Sequence, residues 1–306
     1  ATTTDTTGFL AWSIATMAGI GAANVLLPPL VKRFFPDRIS TMSSVYIVVA
    51  VASSIAPAYF AAPLEQATDW RISIGSWGLI AIFAALPWLG TLYKERGTDL
   101  TYEVAHAPGV AKRVWTSPTS WAMTLGFAVA TFEGYVMFAW LPVMLQERLG
   151  MTAAQSGVML AVYAAVALPM GFFIPRLVQR LENLFGLFAI ASGFFVIGNL
   201  GLWLLPGAAA TWLWVILAGA GPMLFATILV MIAYRTTTQA GAVVLSGMVQ
   251  GVGYALGALG PLLVGIMHGA SNDWSGEFAL IVAVGLLPIV SGFILRRKSF
   301  ADAPRH

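Results

Sequence analysis

Residues 119–141 read TSWAMTLGFAVATFEGYVMFAWL, an apolar run whose one ionisable side chain is Glu133. An α-helix rises 1.5 Å per residue, so about 20 helical residues cross the roughly 30 Å hydrocarbon core of a bilayer. Lys112 and Arg113 stand before the run, and Glu147 follows it. A long apolar run with charges only outside it predicts a transmembrane helix.

The same pattern repeats along the whole chain of 306 residues, of which 58% are hydrophobic and only 9% are Asp, Glu, Lys or Arg. These charges collect in short clusters between apolar runs of span length. The sequence therefore predicts an all-α fold, a polytopic bundle of nine transmembrane helices. The predicted spans are 8–31, 43–63, 72–93, 119–141, 153–174, 184–205, 210–233, 241–267 and 277–295.

The basic residues predict the orientation of these spans. If the first span runs inward, fourteen of the sixteen Lys and Arg residues lie in inner loops or in the C-terminal tail, which satisfies the positive-inside rule. Only Arg71 and Arg148 lie on the outer side. The C-terminus is then cytoplasmic, and the basic excess needs no nucleic-acid partner. The inner residues are Lys32, Arg33, Arg38, Lys94, Arg96, Lys112, Arg113, Arg176, Arg180, Arg235, Arg296, Arg297, Lys298 and Arg305.

The composition argues against a membrane enzyme. The chain has no cysteine, which excludes disulfides, thiol nucleophiles and thiolate metal sites. Its three histidines, His106, His268 and His306, lie outside the span centres, and no HExxH pair occurs. The spans contain no catalytic constellation and no filter-like repeat typical of a channel. We expect no catalytic residues, no metal site and no cofactor.

The longest polar stretch, Lys94 to Pro118, separates three predicted spans from six. Transporters are often built from inverted three-helix repeats, so a three-plus-six layout fits a twelve-span protein that lacks its first three spans. We therefore expect nine of twelve helices. The predicted units are a partial N-terminal half (1–93), a cytoplasmic inter-half loop (94–118), a six-helix C-terminal half (119–298) and a cytoplasmic tail (299–306).

Local motifs resemble one family along essentially the whole chain. The stretch GIGAANVLLPPLVKRFFP at 19–36 is similar to the fourth span and following loop of the CynX/NimT group, the cyanate and 2-nitroimidazole transporters of the major facilitator superfamily. The resemblance continues in AWLP at 139–142, the end of the family's seventh span. It recurs in MVQGVG at 248–253 and LGP at 259–261, in the eleventh span.

This resemblance implies a major facilitator fold in the bacterial inner membrane, a monomer whose two halves rock about a central midplane cavity. It implies a secondary active transporter of a small polar or anionic solute, with protons as a candidate coupling ion. Cyanate-like anions and nitroimidazoles are the family's named substrates, and the sequence does not choose between them. The alternative is a non-transporting fragment that acts as a ligand-binding or scaffold membrane protein.

Glu133 is the first candidate for substrate contact or proton coupling. A charge near the bilayer centre costs on the order of 3 kcal/mol, so this side chain should face the bundle interior or a water-filled cavity. The family's seventh span lines the cavity, which favours a functional role. The other interpretation is a neutral glutamic acid that is hydrogen-bonded to a neighbouring helix.

Asn24 is the second candidate. Pro28 has no N–H and its ring clashes with the carbonyl four residues earlier, which is that of Asn24. A free backbone acceptor inside a span is tolerated where it lines a cavity or is buried by protein. Substrate contact is one interpretation, and repair of the proline kink by the Asn24 side chain is the other.

Gln250 and Tyr254 follow Ser246 at four-residue spacing and predict a polar stripe along span 241–267. They could contact substrate or bond between helices. Tyr135 lies two residues from Glu133, so it should point away from it on a helix. Trp140, at the outer end of its span, could stack on substrate, although membrane-interface anchoring is the commoner role of such a tryptophan.

Overall fold

The structure is a computed structural model that describes residues 6–94, 109–207, 209–271 and 273–303. All of the regular structure in these ranges is helical, which confirms the predicted all-α bundle. The α-helices are α1 (Thr6–Phe34), α2 (Ile39–Ala67), α3 (Trp70–Lys94), α4 (Val110–Thr116), α5 (Pro118–Leu149), α6 (Ala153–Arg180), α7 (Phe185–Leu204), α8 (Ala210–Ala220), α9 (Met223–Tyr234), α10 (Gln239–Ser271) and α11 (Ser275–Leu295), with a 3-10 turn at Pro36–Arg38.

Eight of the nine predicted spans coincide with helical segments that are long and apolar enough to cross a membrane, counted over the described residues. The predicted span 72–93 lies on α3, whose apolar segment is the shorter Trp70–Leu86. Apolar length, which the sequence displays directly, determines these helices.

The predicted span 210–233 differs from the prediction because it contains a break between α8 and α9. Pro222 has no N–H to donate, so the ladder stops at Gly221, whose N–H bonds the carbonyl of Ala218 at 3.1 Å. The helix restarts where the N–H of Phe225 bonds the carbonyl of Pro222 at 2.8 Å. The two helices together still form one segment of spanning length, Ala210–Tyr234.

The predicted inter-half loop 94–118 is partly helical. Residues 95–108 lie outside the described ranges, but α4 occupies 110–116 and buries Val110 and Val114 against the bundle. The polar composition of the stretch conceals this amphipathic turn, which packs against α10.

Helix α5 lies at the centre of the bundle and packs closely against α10. A Cβ atom on Gly253 would lie 2.6 Å from the ring of Phe127, so a larger residue does not fit there. The hydroxyl of Thr131 donates to the carbonyl of Gly253 at 3.2 Å. By contrast, a Cβ atom on Gly247 or Gly251 would have nothing within 4 Å, so this part of α10 is not closely packed against another described helix.

The basic residues gather at one end of the bundle, called here the basic end. Arg180, Arg235 and Lys298 line one cavity there, although they come from the ends of three different helices, α6, α9 and α11. The C-terminal segment binds the α9–α10 connection at this end. The Asp302 carboxylate accepts hydrogen bonds from the N–H groups of Thr237 and Thr238. The α2–α3, α5–α6 and α10–α11 connections lie at the opposite end.

Candidate functional site

The two prolines of α1 free two carbonyl groups, and α10 binds both of them. Pro28 frees the carbonyl of Asn24, which accepts a hydrogen bond from Gln250 Nε2 at 3.2 Å. Pro29 likewise frees the carbonyl of Val25, which accepts from Ser246 Oγ at 2.7 Å. The proline defect of α1 is thus repaired from another helix and not by the Asn24 side chain.

The Asn24 side chain contacts the same helix one turn further on. Its Nδ2 donates to Tyr254 Oη at 3.4 Å, and Gln250 Nε2 also contacts Ser246 Oγ at 2.9 Å. The predicted stripe of Ser246, Gln250 and Tyr254 therefore lies on the face of α10 that meets α1. Gln250 is fully buried, and its Oε1 has no hydrogen-bond partner among the described residues.

Tyrosine rings complete this region. Tyr135 on α5 stacks on Tyr254 with ring centroids 6.3 Å apart and an interplanar angle of 21°. Tyr46 on α2 is partly buried and is close enough to Tyr254 to interact with it electrostatically. We call Asn24, Tyr46, Tyr135, Gln250 and Tyr254 the central cluster. It joins α1 and α2 to α5 and α10 through hydrogen-bonding groups and flat aromatic faces.

Glu133 lies outside the central cluster, on the other side of α5. It is fully buried, and neither carboxyl oxygen has a hydrogen-bond partner among the described residues. Tyr163 on α6 and Asn199 on α7 are its polar neighbours. Since Tyr135 and Glu133 are two residues apart on one helix, they point to different regions, as the sequence predicts.

The break between α8 and α9 faces Glu133. A Cβ atom on Gly221 would lie 2.7 Å from Glu133 Oε2 and 3.0 Å from Phe195 Cβ, so only glycine lets the carboxyl group approach. The first N–H groups of a helix have no intrahelical partner and carry partial positive charge. Glu133, Gly221 and the start of α9 thus form a second polar region, buried inside the C-terminal helices.

Trp140 joins neither region. Its Nε1 donates to the carbonyl of Pro261 at 3.1 Å, and its ring lies about 6 Å from those of His268 and Trp274 at the end opposite the basic end. Glu277 is also at this end. It lies in the first turn of α11 and is fully buried.

The sequence analysis does not single out Tyr46 or Asn199, which the structure brings near Tyr254 and Glu133 respectively. Both are polar groups inside predicted spans, which is the signal that could have identified them. Their partners come from other helices, so the sequence spacing gives no indication of the pairing.

Comparison with known proteins decides the family. A model of the Major Facilitator Superfamily matches residues 1–258. The chain belongs to the Major Facilitator Superfamily. Among its relatives in this superfamily is the 2-nitroimidazole transporter of Escherichia coli (strain K12), 28% identical over 281 residues, which are 91% of this chain and 70% of the relative.

Two further relatives are similar over most of the chain. The uncharacterized transporter YycB of Bacillus subtilis (strain 168) is 30% identical over 275 residues, 87% of this chain and 65% of the relative. The cyanate transport protein CynX of E. coli (strain K12) is 24% identical over 279 residues, 90% of this chain and 71% of the relative. The resemblance to the cyanate and nitroimidazole group is thus confirmed, and the chain spans about two thirds of its relatives' length.

Proposed function

We propose that this chain carries the central site of a secondary active transporter that moves a small polar solute across the bacterial plasma membrane by alternating access. Superfamily membership and relatives named as transporters support solute transport. The observation that carries the proposal is the central cluster. It joins α1 to α10 by hydrogen bonds and leaves two of its polar groups, Gln250 Oε1 and the Tyr46 hydroxyl, without partners among the described residues.

The chemistry of this cluster favours a planar, uncharged solute over a small anion. Stacked tyrosine rings offer flat faces for a heteroaromatic ring. Gln250 Oε1 is a free acceptor for an N–H group, and the tyrosine hydroxyls and the Asn24 amide can donate. None of the described members of the cluster is a Lys or Arg that would pair with an anion. A nitroimidazole fits these groups better than cyanate does.

Contacts at the basic end support an alternating-access cycle. Lys32 Nζ on α1 donates to the carbonyl and the hydroxyl of Thr236, at 2.7 and 2.8 Å. Gln239 Nε2 on α10 donates to the carbonyl of Pro29 at 2.9 Å. Toward its other end α1 exposes large apolar side chains such as Trp12, 69% exposed. The helices α1 and α10 are thus joined at the basic end, as one phase of the cycle requires.

Glu133 is the candidate coupling group. A buried ionised carboxylate without partners is costly, whereas a neutral acid could donate to the free Oδ1 of Asn199. We propose that this carboxyl group gains and loses a proton during the cycle. Glu133 and the central cluster lie on different sides of α5. The proton and the solute therefore bind at different places and are coupled through movement of that helix.

Uptake of labelled 2-nitroimidazole and labelled cyanate tests the proposal. Cells that express the natural gene encoding this chain should take up the nitroimidazole, and an excess of unlabelled compound should compete. Substitution Tyr254→Ala should reduce uptake, whereas Tyr59→Ala, an exposed tyrosine of α2, should not. Binding of the compound without any flux would instead favour a ligand-binding role, and exclusive uptake of cyanate would contradict the choice of a planar solute.

A further inference from the structure

Three titratable side chains meet at the end opposite the basic end. Glu147 comes from the last turns of α5, His268 from the last turn of α10 and Glu277 from the first turn of α11. His268 Nε2 lies 3.1 Å from Glu147 Oε2, and His268 Nδ1 lies 3.8 Å from Glu277 Oε1. We call these three residues the end cluster. It is remote from Gln250, which lies near the middle of α10.

Exposure falls steeply across the end cluster. The side chain of Glu147 is 48% exposed, that of His268 is 14% exposed, and that of Glu277 is fully buried. Neither Glu277 oxygen has a hydrogen-bond partner among the described residues, and neither does His268 Nδ1. A distance of 3.8 Å is too long for a hydrogen bond. Two buried polar groups therefore face each other without a bond.

Tryptophan fixes the orientation of the imidazole. The ring of Trp274 stacks on His268 with centroids 4.1 Å apart, and Trp274 Nε1 donates to Glu147 Oε2 at 2.9 Å. Trp140 lies on another side of the same ring at 6.0 Å. With the ring held in this way, His268 Nε2 is directed to Glu147 and Nδ1 to Glu277.

This orientation determines where a proton can go. Since Glu147 Oε2 is an acceptor, His268 Nε2 carries a hydrogen and donates it. A neutral imidazole then presents the lone pair of Nδ1 to Glu277, and an ionised Glu277 would present another acceptor. The two atoms can bond only if one additional proton lies between them.

We propose that Glu147, His268 and Glu277 form a proton-binding site at this end of the protein. In the loading step a hydronium ion loses one proton, one of its O–H bonds breaks, and water is released. One N–H bond forms at His268 Nδ1, and the imidazolium then donates from both nitrogens, to Glu147 and to Glu277. The charge of the cluster changes from two negative charges to one, and the Glu277 carboxylate gains the hydrogen-bond donor whose absence makes its burial costly in the unloaded state.

Loading also draws two helices together. To form the second hydrogen bond, His268 Nδ1 and Glu277 Oε1 must approach by about 1 Å from their present distance. This movement brings the last turn of α10 to the first turn of α11. Unloading releases them, so the proton concentration of the adjoining medium acts on the packing of this end. The inference holds whether or not Glu133 carries a coupling proton.

The neighbouring charged side chains do not bind to the end cluster, which leaves a proton as its ligand. On α5, Arg148 is turned away, because its guanidinium donates to the carbonyls of Leu202 and Trp203. Asp273, in the α10–α11 connection, is exposed and interacts electrostatically with Arg148. Among the described residues no group of three or more His, Asp or Glu side chains is arranged to hold a metal ion.

Nuclear magnetic resonance of histidine rings tests this site directly. The chain contains three histidines, so the purified full chain in detergent, labelled with ¹⁵N-histidine, gives few ring signals, and His268→Gln assigns the one of interest. As the pH falls, Nδ1 of His268 should change from the neutral to the protonated form. In Glu277→Gln the proton affinity of His268 should fall at least tenfold.

The controls separate the proposal from bulk effects. Glu65→Gln removes an exposed carboxylate of α2 and should leave the His268 signal unchanged. If Glu277→Gln does not fold, Glu147→Gln serves instead, because its half-exposed side chain tolerates the change, and it should also weaken proton binding. A His268 ring that stays neutral throughout the folded range would overturn the proposal. The proposal would also be overturned if His268 became protonated at the same pH in wild type, Glu277→Gln and Glu147→Gln. A His268 signal that responds to sodium and not to pH would overturn it as well.

Discussion

Gln250 is the side chain that connects the proline-containing segment of α1 to the C-terminal helices. It donates to the carbonyl of Asn24 and contacts Ser246, while its own Oε1 remains free. A single amide therefore repairs a backbone defect and keeps an acceptor available for a ligand.

Substitution Gln250→Ala should reduce both stability and uptake. It leaves the carbonyl of Asn24 without its partner in a protein interior, which costs about 1–3 kcal/mol. Thermal unfolding in detergent and uptake of the nitroimidazole measure the two effects. Gln179→Ala, at an exposed position of α6, should change stability by less than about 0.5 kcal/mol. Equal effects of both substitutions would contradict the role of Gln250.

Substitution Glu133→Gln distinguishes proton coupling from packing. The glutamine keeps the shape and can still donate to Asn199, so folding should persist, but it cannot exchange a proton. We expect accumulation driven by a pH gradient to fall at least about tenfold, while exchange without a gradient continues. Uptake at two external pH values is the measurement, and unchanged pH-dependent accumulation would leave Glu133 a structural acid.

For individual side chains, the sequence predicted which polar groups are present in the spans but not which of them are in contact. The freed carbonyl of Asn24 followed from Pro28, and the polar stripe of α10 followed from four-residue spacing. That the stripe bonds the carbonyl could not be predicted, because these groups lie 226 residues apart. Glu133 was correctly identified as interior, but its separation from Gln250 depends on how α5 is rotated in the bundle.

The break between α8 and α9 is the element that differs most from the predicted spans. The sum of hydrophobicity across 210–233 identifies one crossing and is insensitive to a local interruption. Pro222, directly after Gly221, carried the signal. The break matters because it opens room for the Glu133 carboxyl group inside an otherwise apolar packing.

Substitution Gly221→Ala should destabilise the protein by about 1–3 kcal/mol, because the new methyl group would collide with Glu133 and Phe195. Gly247→Ala is the matched control. That glycine has nothing within 4 Å and lies inside α10, so alanine should be neutral or stabilise by up to about 1 kcal/mol. Thermal unfolding of the two variants is compared with wild type, and a neutral Gly221→Ala would exclude the close approach.

The bundle as a whole is polarised, with most basic residues and the C-terminal segment at one end. Positive charge on the inner side predicts that this end is cytoplasmic. Because the chain contains no cysteine, single cysteines give labelling without background. A cysteine at Glu182 should react with an impermeant maleimide only after the membrane is opened, whereas one at Glu65 should react in intact cells. The reverse pattern would invert the predicted topology.

Acid should loosen the basic end through Asp302. Burial alone would raise the pKa of Asp302, but hydrogen bonds from Thr237 and Thr238 outweigh it and hold the pKa below its ordinary value. A carboxylate with a lowered folded pKa stabilises fully above its unfolded pKa, and this contribution is lost as the pH falls through the folded value. From about pH 6 to about pH 3 the melting temperature should therefore fall more in wild type than in Asp302→Asn. Parallel curves would show that Asp302 contributes nothing.

The two carbonyls that Pro28 and Pro29 release have a consequence for how such chains diverge. Both hydrogen-bond acceptors are main-chain carbonyls, so no substitution on α1 removes the need for a donor unless it replaces a proline. A relative that lacks Gln250 must leave the carbonyl oxygen without a partner, supply a donor from another residue, or have a residue other than proline at position 28. Positions 28 and 250 should therefore drift together, although over two hundred residues of chain separate them.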